Sequence, residues 1–172
     1  MAVKEVLKMG HKGLWACAEE VTKPFGNTLQ LLVQDLIDTM LDYDGVGLAA
    51  PQIGVLKRVV VFGVDKCERY PDVEPIPRTV LINPVISAIG DVTEEDWEGC
   101  LSVPGMKGRV PRYRTIKYTG YDEAGNEISR IVEGFHARVV QHEVDHLDGI
   151  IYPLRITDLH NFGFSQDSFP AE

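Results

Sequence analysis

The segment from Phe135 to Asp148 constrains the fold of this chain more than any other. Ala137, Val140, Val144 and Leu147 recur at helical spacing and form one apolar stripe. Phe135, Val139, His142 and His146 form a second. A helix with two such stripes has little circumference left for water, so the rest of the chain has to be built around it. Gly149 stands where a left-handed residue can end it.

Within that helix His142-Glu143-Val144-Asp145-His146 reads H-E-x-x-H. Positions i and i+4 share a face, so both imidazoles can reach one cation, and Glu143 can hold a water beside it. The plainer alternative is a pair of core histidines hydrogen-bonded to backbone. A catalytic ion needs a third protein ligand and an open position. Downstream, Tyr152 is a poor ligand with a pKa near ~10, His160 lies in weakly periodic sequence, and Glu172 is the terminal residue. The third ligand is therefore expected upstream. Cys100, between Gly99 and Leu101, is the best candidate. From spacing alone its other reading, a small core hydrophobe, stands level with it. Cys17 and Cys67 keep that ordinary reading, Cys67 also as an exposed thiol.

The remaining signals describe what surrounds the helix. Leu29, Leu32, Val33, Leu36, Ile37, Met40 and Leu41 predict a first helix over about residues 27–44, with Asn27 as its cap. Gly45 to Gly54 holds three glycines, two alanines and a proline, a tight loop. Residues 58–64 read as a buried strand, 65–77 as a surface loop, and 79–89 as a strand region broken near Asn83-Pro84. Residues 113–121 and 128–133 read as a hairpin around Asp122–Asn126. Residues 158–172 read as a frayed tail, leaving one catalytic domain over 1–157. Helix, several strands, then helix is not a βαβ alternation. It predicts an α+β fold, with mostly antiparallel sheets packed around a central metal-binding helix and an N-terminal helix.

The chain has 172 residues, and 26 Asp+Glu against 17 Lys+Arg give a net charge of −9. That balance speaks against nucleic-acid or anionic-membrane binding. Lys107, Arg109, Arg112 and Arg114 are the one local basic run. Three widely spaced cysteines make a poor disulfide framework, and no targeting segment or membrane span is read, so a cytoplasmic location is expected.

Three segments, Gly45-Val46-Gly47-Leu48-Ala49-Ala50-Pro51-Gln52, Glu98-Gly99-Cys100-Leu101-Ser102 and Gln141-His142-Glu143-Val144-Asp145-His146, together resemble the three signature motifs of peptide deformylase. They occur in that family's order, and the resemblance covers about residues 3–155. It implies a metallohydrolase that removes the formyl group from the N-terminal formylmethionine of new polypeptides. It implies that Cys100, His142 and His146 bind one divalent metal, Fe²⁺ in the cell with Zn²⁺ or Ni²⁺ as other candidates. It makes Glu143 the general acid/base and gives the oxyanion site to Gln52 and the Leu101 N–H. Gly45, Val46 and Gly47 are expected along the substrate, and Val46, Phe135 and Val139 around a methionine side chain. Asp145 is expected to pair with Arg112 or Arg109, and Glu98 to brace the Cys100 segment or an adjacent loop. The implied partner is an N-formylmethionyl peptide or nascent chain, with transient ribosome contact. The competing readings are a related metallo-amidase or endopeptidase and a non-catalytic metal-stabilised module. The segment Gly10–Cys17 departs from the family pattern and leaves the local N-terminal packing open.

Overall fold

A computed structural model describes residues 3–23, 25–64 and 74–165. Strand β2 (Val59–Val64) shows best how the core is organised. Its first four residues are all fully buried. Val60 and Phe62 face one way, toward Ala137, Val140, Val144 and Leu147 of helix α2 (Gly134–Leu147). Val59 and Val61 face the other way, toward Leu29, Val33, Leu36 and Met40 of helix α1 (Asn27–Asp42). Covering on both faces is why this strand reads as an unbroken apolar run instead of an alternation.

Strand β2 belongs to a five-stranded sheet with β1 (Gly47–Ala49), β3 (Ile76–Ala88), β6 (Thr115–Tyr121) and β7 (Glu127–Glu133), in the order β1-β2-β3-β6-β7. A second sheet holds β4 (Thr93–Cys100), β5 (Val103–Tyr113) and β8 (Phe162–Phe164), in the order β4-β5-β8. All these pairings are antiparallel, and β6 and β7 form the expected hairpin. Helix α2 contacts β1 and β2 of the first sheet and β5 of the second. The α+β architecture around a central helix is the one expected. No described helix is long and apolar enough to cross a membrane.

Several expectations need correction. Asn27 does not cap α1: Gly26 has the extended backbone of the cap, its carbonyl accepts from Leu29 N, and Asn27 is already helical. The helix also ends two residues early, because Asp44 turns left-handed (φ 50°) and Gly45 N bonds back to Met40 O. Strand β3 is not broken at Asn83-Pro84. A bulge there absorbs the left-handed Asn83 (φ 50°) and the missing proline N–H. The Asn83 side chain accepts from Val21 N and donates to Val21 O, tying the N-terminal segment to the sheet.

Strands β4 and β5 had no clear signal in the sequence, and they carry the Cys100 segment. Residues 158–165, expected as tail, form a 3-10 turn and then β8 on the edge of β5, with Phe162 against Tyr152. Residues 166–172, and Cys67 with most of the 65–77 loop, lie outside the described residues. The local basic run is not an open patch, since Arg112 is buried, Arg109 pairs with Glu95 and Arg114 with Glu94.

Candidate metal centre and active site

Cys100 ends β4, just before the turn into β5, and His142 and His146 sit one helical turn apart on α2. Their ligating atoms all lie within 4.8 Å of one another. Cys100 Sγ is 3.3 Å from His146 Nε2, and the two imidazole centroids are 5.0 Å apart. Such a cluster of one thiol and two imidazoles, partly buried between a helix and a strand end, fits one metal ion.

The arrangement behind the cluster supports that fit. Glu98, two residues before Cys100 and buried, accepts from His142 Nδ1 at 2.8 Å. With Nδ1 taken by the carboxylate, the other ring nitrogen is the one left to bind a metal, the arrangement a ligating histidine requires. Glu98 is itself held by Arg112 (2.8 and 3.0 Å) and Arg138 (2.8 Å). Burial works against its charge, yet the hydrogen bonds from Arg112 and His142 outweigh it and hold the carboxyl well below the usual range. Burial also works against charge on His142, but Cys100 and Glu98 raise its pKa well above the ordinary value. Burial, with the charge of His142, pushes His146 well below its ordinary value. The buried ring of Tyr152 stacks against His142, centroids 6.2 Å apart.

Glu143 follows His142 on α2, and both line one cavity. Burial raises its pKa to about 7, and Oε2 has no hydrogen-bond partner among the described residues. Gly47 on β1 is what makes room for it: a Cβ there would come within 2.6 Å of the Glu143 carboxyl carbon. Gln52 follows β1 in a short 3-10 turn. Its Oε1 accepts from Ala49 N at 2.8 Å, which fixes the amide so that Nε2 points to Ser102 Oγ (3.1 Å) and Cys100 Sγ (3.5 Å).

A cavity of about 580 Å³ opens over this cluster. Gly45, Val46, Gly47, Gln52, Cys100, Leu101, Phe135, Val139, His142 and Glu143 all line it. His146 lies deeper, 1% exposed. Every site residue expected from the sequence is thus brought to one place. The sequence missed Arg138, which lines the cavity and binds Glu98, and Ser102, which receives the Gln52 amide. It left Glu98 with only a general bracing role. A single acid two residues before a candidate ligand was the available signal. Asp145 pairs with Arg112, one of its two expected partners, and also with Arg155.

The sequence profile of polypeptide deformylase matches residues 3–162. The chain belongs to the polypeptide deformylase family. It is 55% identical to peptide deformylase 1 of Nitrosomonas europaea over 170 residues, covering 99% of this chain and 97% of that one. It is 54% identical to peptide deformylase 2 of Ralstonia nicotianae over 168 residues, covering 98% and 95%. Among solved structures it resembles the class I type b peptide deformylase of Acinetobacter baumannii. In the Met-Ala-Ser-bound form the TM-score is 0.87 at 38% identity, covering 90% of this chain and 99% of that one. In the actinonin-bound form the TM-score is 0.82 at 35% identity, covering 91% and 100%. Peptide deformylases are enzymes that remove a formyl group, so the hydrolase expected from the three motifs holds and the non-catalytic module does not.

Proposed function

We propose that this chain removes the N-formyl group from the formylmethionine that begins newly synthesised polypeptides, releasing formate. It does so in the cytoplasm, on nascent chains and in transient contact with the ribosome. Cys100, His142 and His146 hold one divalent ion, Fe²⁺ in the cell, with Zn²⁺ and Ni²⁺ suited to the same donors. The ion, when bound, supplies Lewis acidity that makes water a nucleophile at neutral pH and draws charge from a carbonyl oxygen.

The protein groups do the rest. Glu143 takes the proton of the attacking water and later gives it to the leaving amine, a task that suits a carboxyl raised to about 7. The Gln52 amide and the Leu101 N–H donate to the formyl oxygen as it gains negative charge. Strands β1 and β4 are both sheet edges, and both reach the cavity. An extended peptide laid along them gains main-chain hydrogen bonds, and Gly45 and Gly47 let it approach closely. Val46, Phe135 and Val139 receive the methionine side chain. The catalytic domain takes in residues 1–157, and β8 extends it.

One observation carries this reading: one thiol and two imidazoles, a buried carboxylate oxygen without a partner among the described residues, and a fixed amide converge in one place. The test is anaerobic purification, metal analysis, and formate release from a formyl-Met peptide, alongside Glu143→Ala. Formate from the metal-loaded wild type, with metal kept and activity lost in the variant, is the expected result. Cleavage of internal peptide bonds without formate release would favour an endopeptidase. Replacing Val139 by a larger residue should weaken the preference for methionine; an unchanged preference removes it from the pocket.

A further inference from the structure

Arg138 is a buried arginine, 6% exposed, in the wall of the cavity, and the deformylation chemistry assigns it nothing. It lies one helical turn before His142 on α2. Its guanidinium donates to the carbonyls of Glu94 (2.7 Å) and Asp96 (3.5 Å) in β4 and of Val110 (2.7 Å) in β5. It also donates to Glu98 Oε1 at 2.8 Å, while Glu98 Oε2 accepts from His142 Nδ1 at 2.8 Å. One carboxylate from β4 is therefore gripped by two residues of α2 four positions apart. The same guanidinium holds the strand from which that carboxylate projects. Neither apolar packing nor solubility calls for a buried charge here, and a rigid planar fork with several donors is what so many acceptors at once require.

We propose that Arg138 is a positioning residue for the metal centre: by fixing both the Glu98 carboxylate and the β4 backbone against α2, it sets the orientation of His142 and the approach of Cys100. The proposal rests on Cys100, His142 and His146 being the ligands. Outer partners of this kind change metal affinity by about 10–100-fold. Arg112 also holds Glu98, but from β5. Arg112 reaches α2 only through Asp145, whereas Arg138 binds Glu98 from the ligand-bearing helix itself and, with the same guanidinium, holds the strand that carries it.

The test uses the full chain as holoenzyme, with Zn²⁺ as the probe ion and affinity measured by competition with a chelator. Arg138→Lys keeps the charge and loses the fork. Expected is a weakening of Zn²⁺ binding by about tenfold, with kcat lowered and KM for a formyl-Met peptide within twofold. In the Glu98→Gln background the same substitution should have far less effect on Zn²⁺ affinity, because the shared partner is already altered. Unchanged Zn²⁺ affinity in Arg138→Lys overturns the proposal, and so do fully additive effects in the double variant. A drop in thermal stability with metal affinity kept also overturns it, leaving Arg138 a structural staple. If the wild type binds no Zn²⁺, the ligand assignment itself fails, which is a different outcome.

Discussion

The two sides of helix α2 are held by opposite kinds of contact. Toward the five-stranded sheet, Ala137, Val140, Val144 and Leu147 meet Val60, Phe62, Ile116 and Tyr118 in a dry apolar layer. Toward the β4–β5 hairpin the seam is polar and ionic. Arg138 bonds three carbonyls, Gln141 pairs with Tyr113 N and O, and Arg112 joins Glu98 to Asp145. Apolar burial stabilises without fixing direction, at roughly 25 cal/mol per Å². Hydrogen bonds and buried ion pairs add little net stability but hold a strand in one place. The three proposed metal ligands straddle the second seam, with Cys100 on the strand side and both histidines on the helix side. The less forgiving kind of contact is thus placed where a few tenths of an ångström matter.

This contrast can be broken in order of expected effect. Chelating the metal should abolish formate release, and adding back Fe²⁺ under anaerobic conditions should restore it; an active metal-free protein would sever the seam from catalysis. Arg112→Leu should come next. It takes one cation from each of two buried carboxylates, leaving Glu98 to Arg138 and His142 and Asp145 to Arg155, at a cost of about 3–5 kcal/mol, and urea unfolding should show that loss together with weakened metal binding. Leu147→Ala, fully buried on the apolar side, should cost about 2–5 kcal/mol. Its folded fraction should keep the wild-type Zn²⁺ affinity, and a matching loss of affinity would mean the two sides are not separable.

Gly47→Ala tests the cleft between them. The added Cβ presses on the Glu143 carboxyl, so kcat/KM should fall by at least about tenfold, or ~1.4 kcal/mol. Its thermal stability should stay near wild type, a split visible by pairing kinetics with calorimetry. The smallest effect is expected on the open face of the sheet. Ile131→Thr, at a position 66% exposed, should change stability by no more than about 0.5 kcal/mol and leave activity intact.

How much of this was legible depended on which kind of contact makes each element. Helix α2 and strand β2 announce themselves because burial leaves an apolar pattern. Strands β4 and β5 do not: β4 reads Thr-Glu-Glu-Asp-Trp-Glu-Gly-Cys, and four of its first five residues are exposed. What makes it a strand is pairing with β5 and the grip of Arg138, neither of which depends on side-chain hydrophobicity. Glu98 shows the same limit. Among Asp91, Glu94, Glu95 and Asp96 it looks like one more solvated acid, yet it alone of the five is buried. Likewise β8 reads as tail because three residues on a sheet edge carry too short a pattern to register.

The sequence by itself determined the helix that had to be buried, the two imidazoles and the carboxylate on it, and the motif trio that points to one family. Local spacing suffices for that, because residues four apart on a helix are neighbours in any fold. It could not decide whether Cys100 was a ligand or a core residue, nor that Arg138 and Glu98 join helix to strand. Those depend on a contact across forty-odd positions of chain, made only when the β4–β5 hairpin closes on α2. Tertiary packing alone brings the thiol, the imidazoles and their supporting charges into one space.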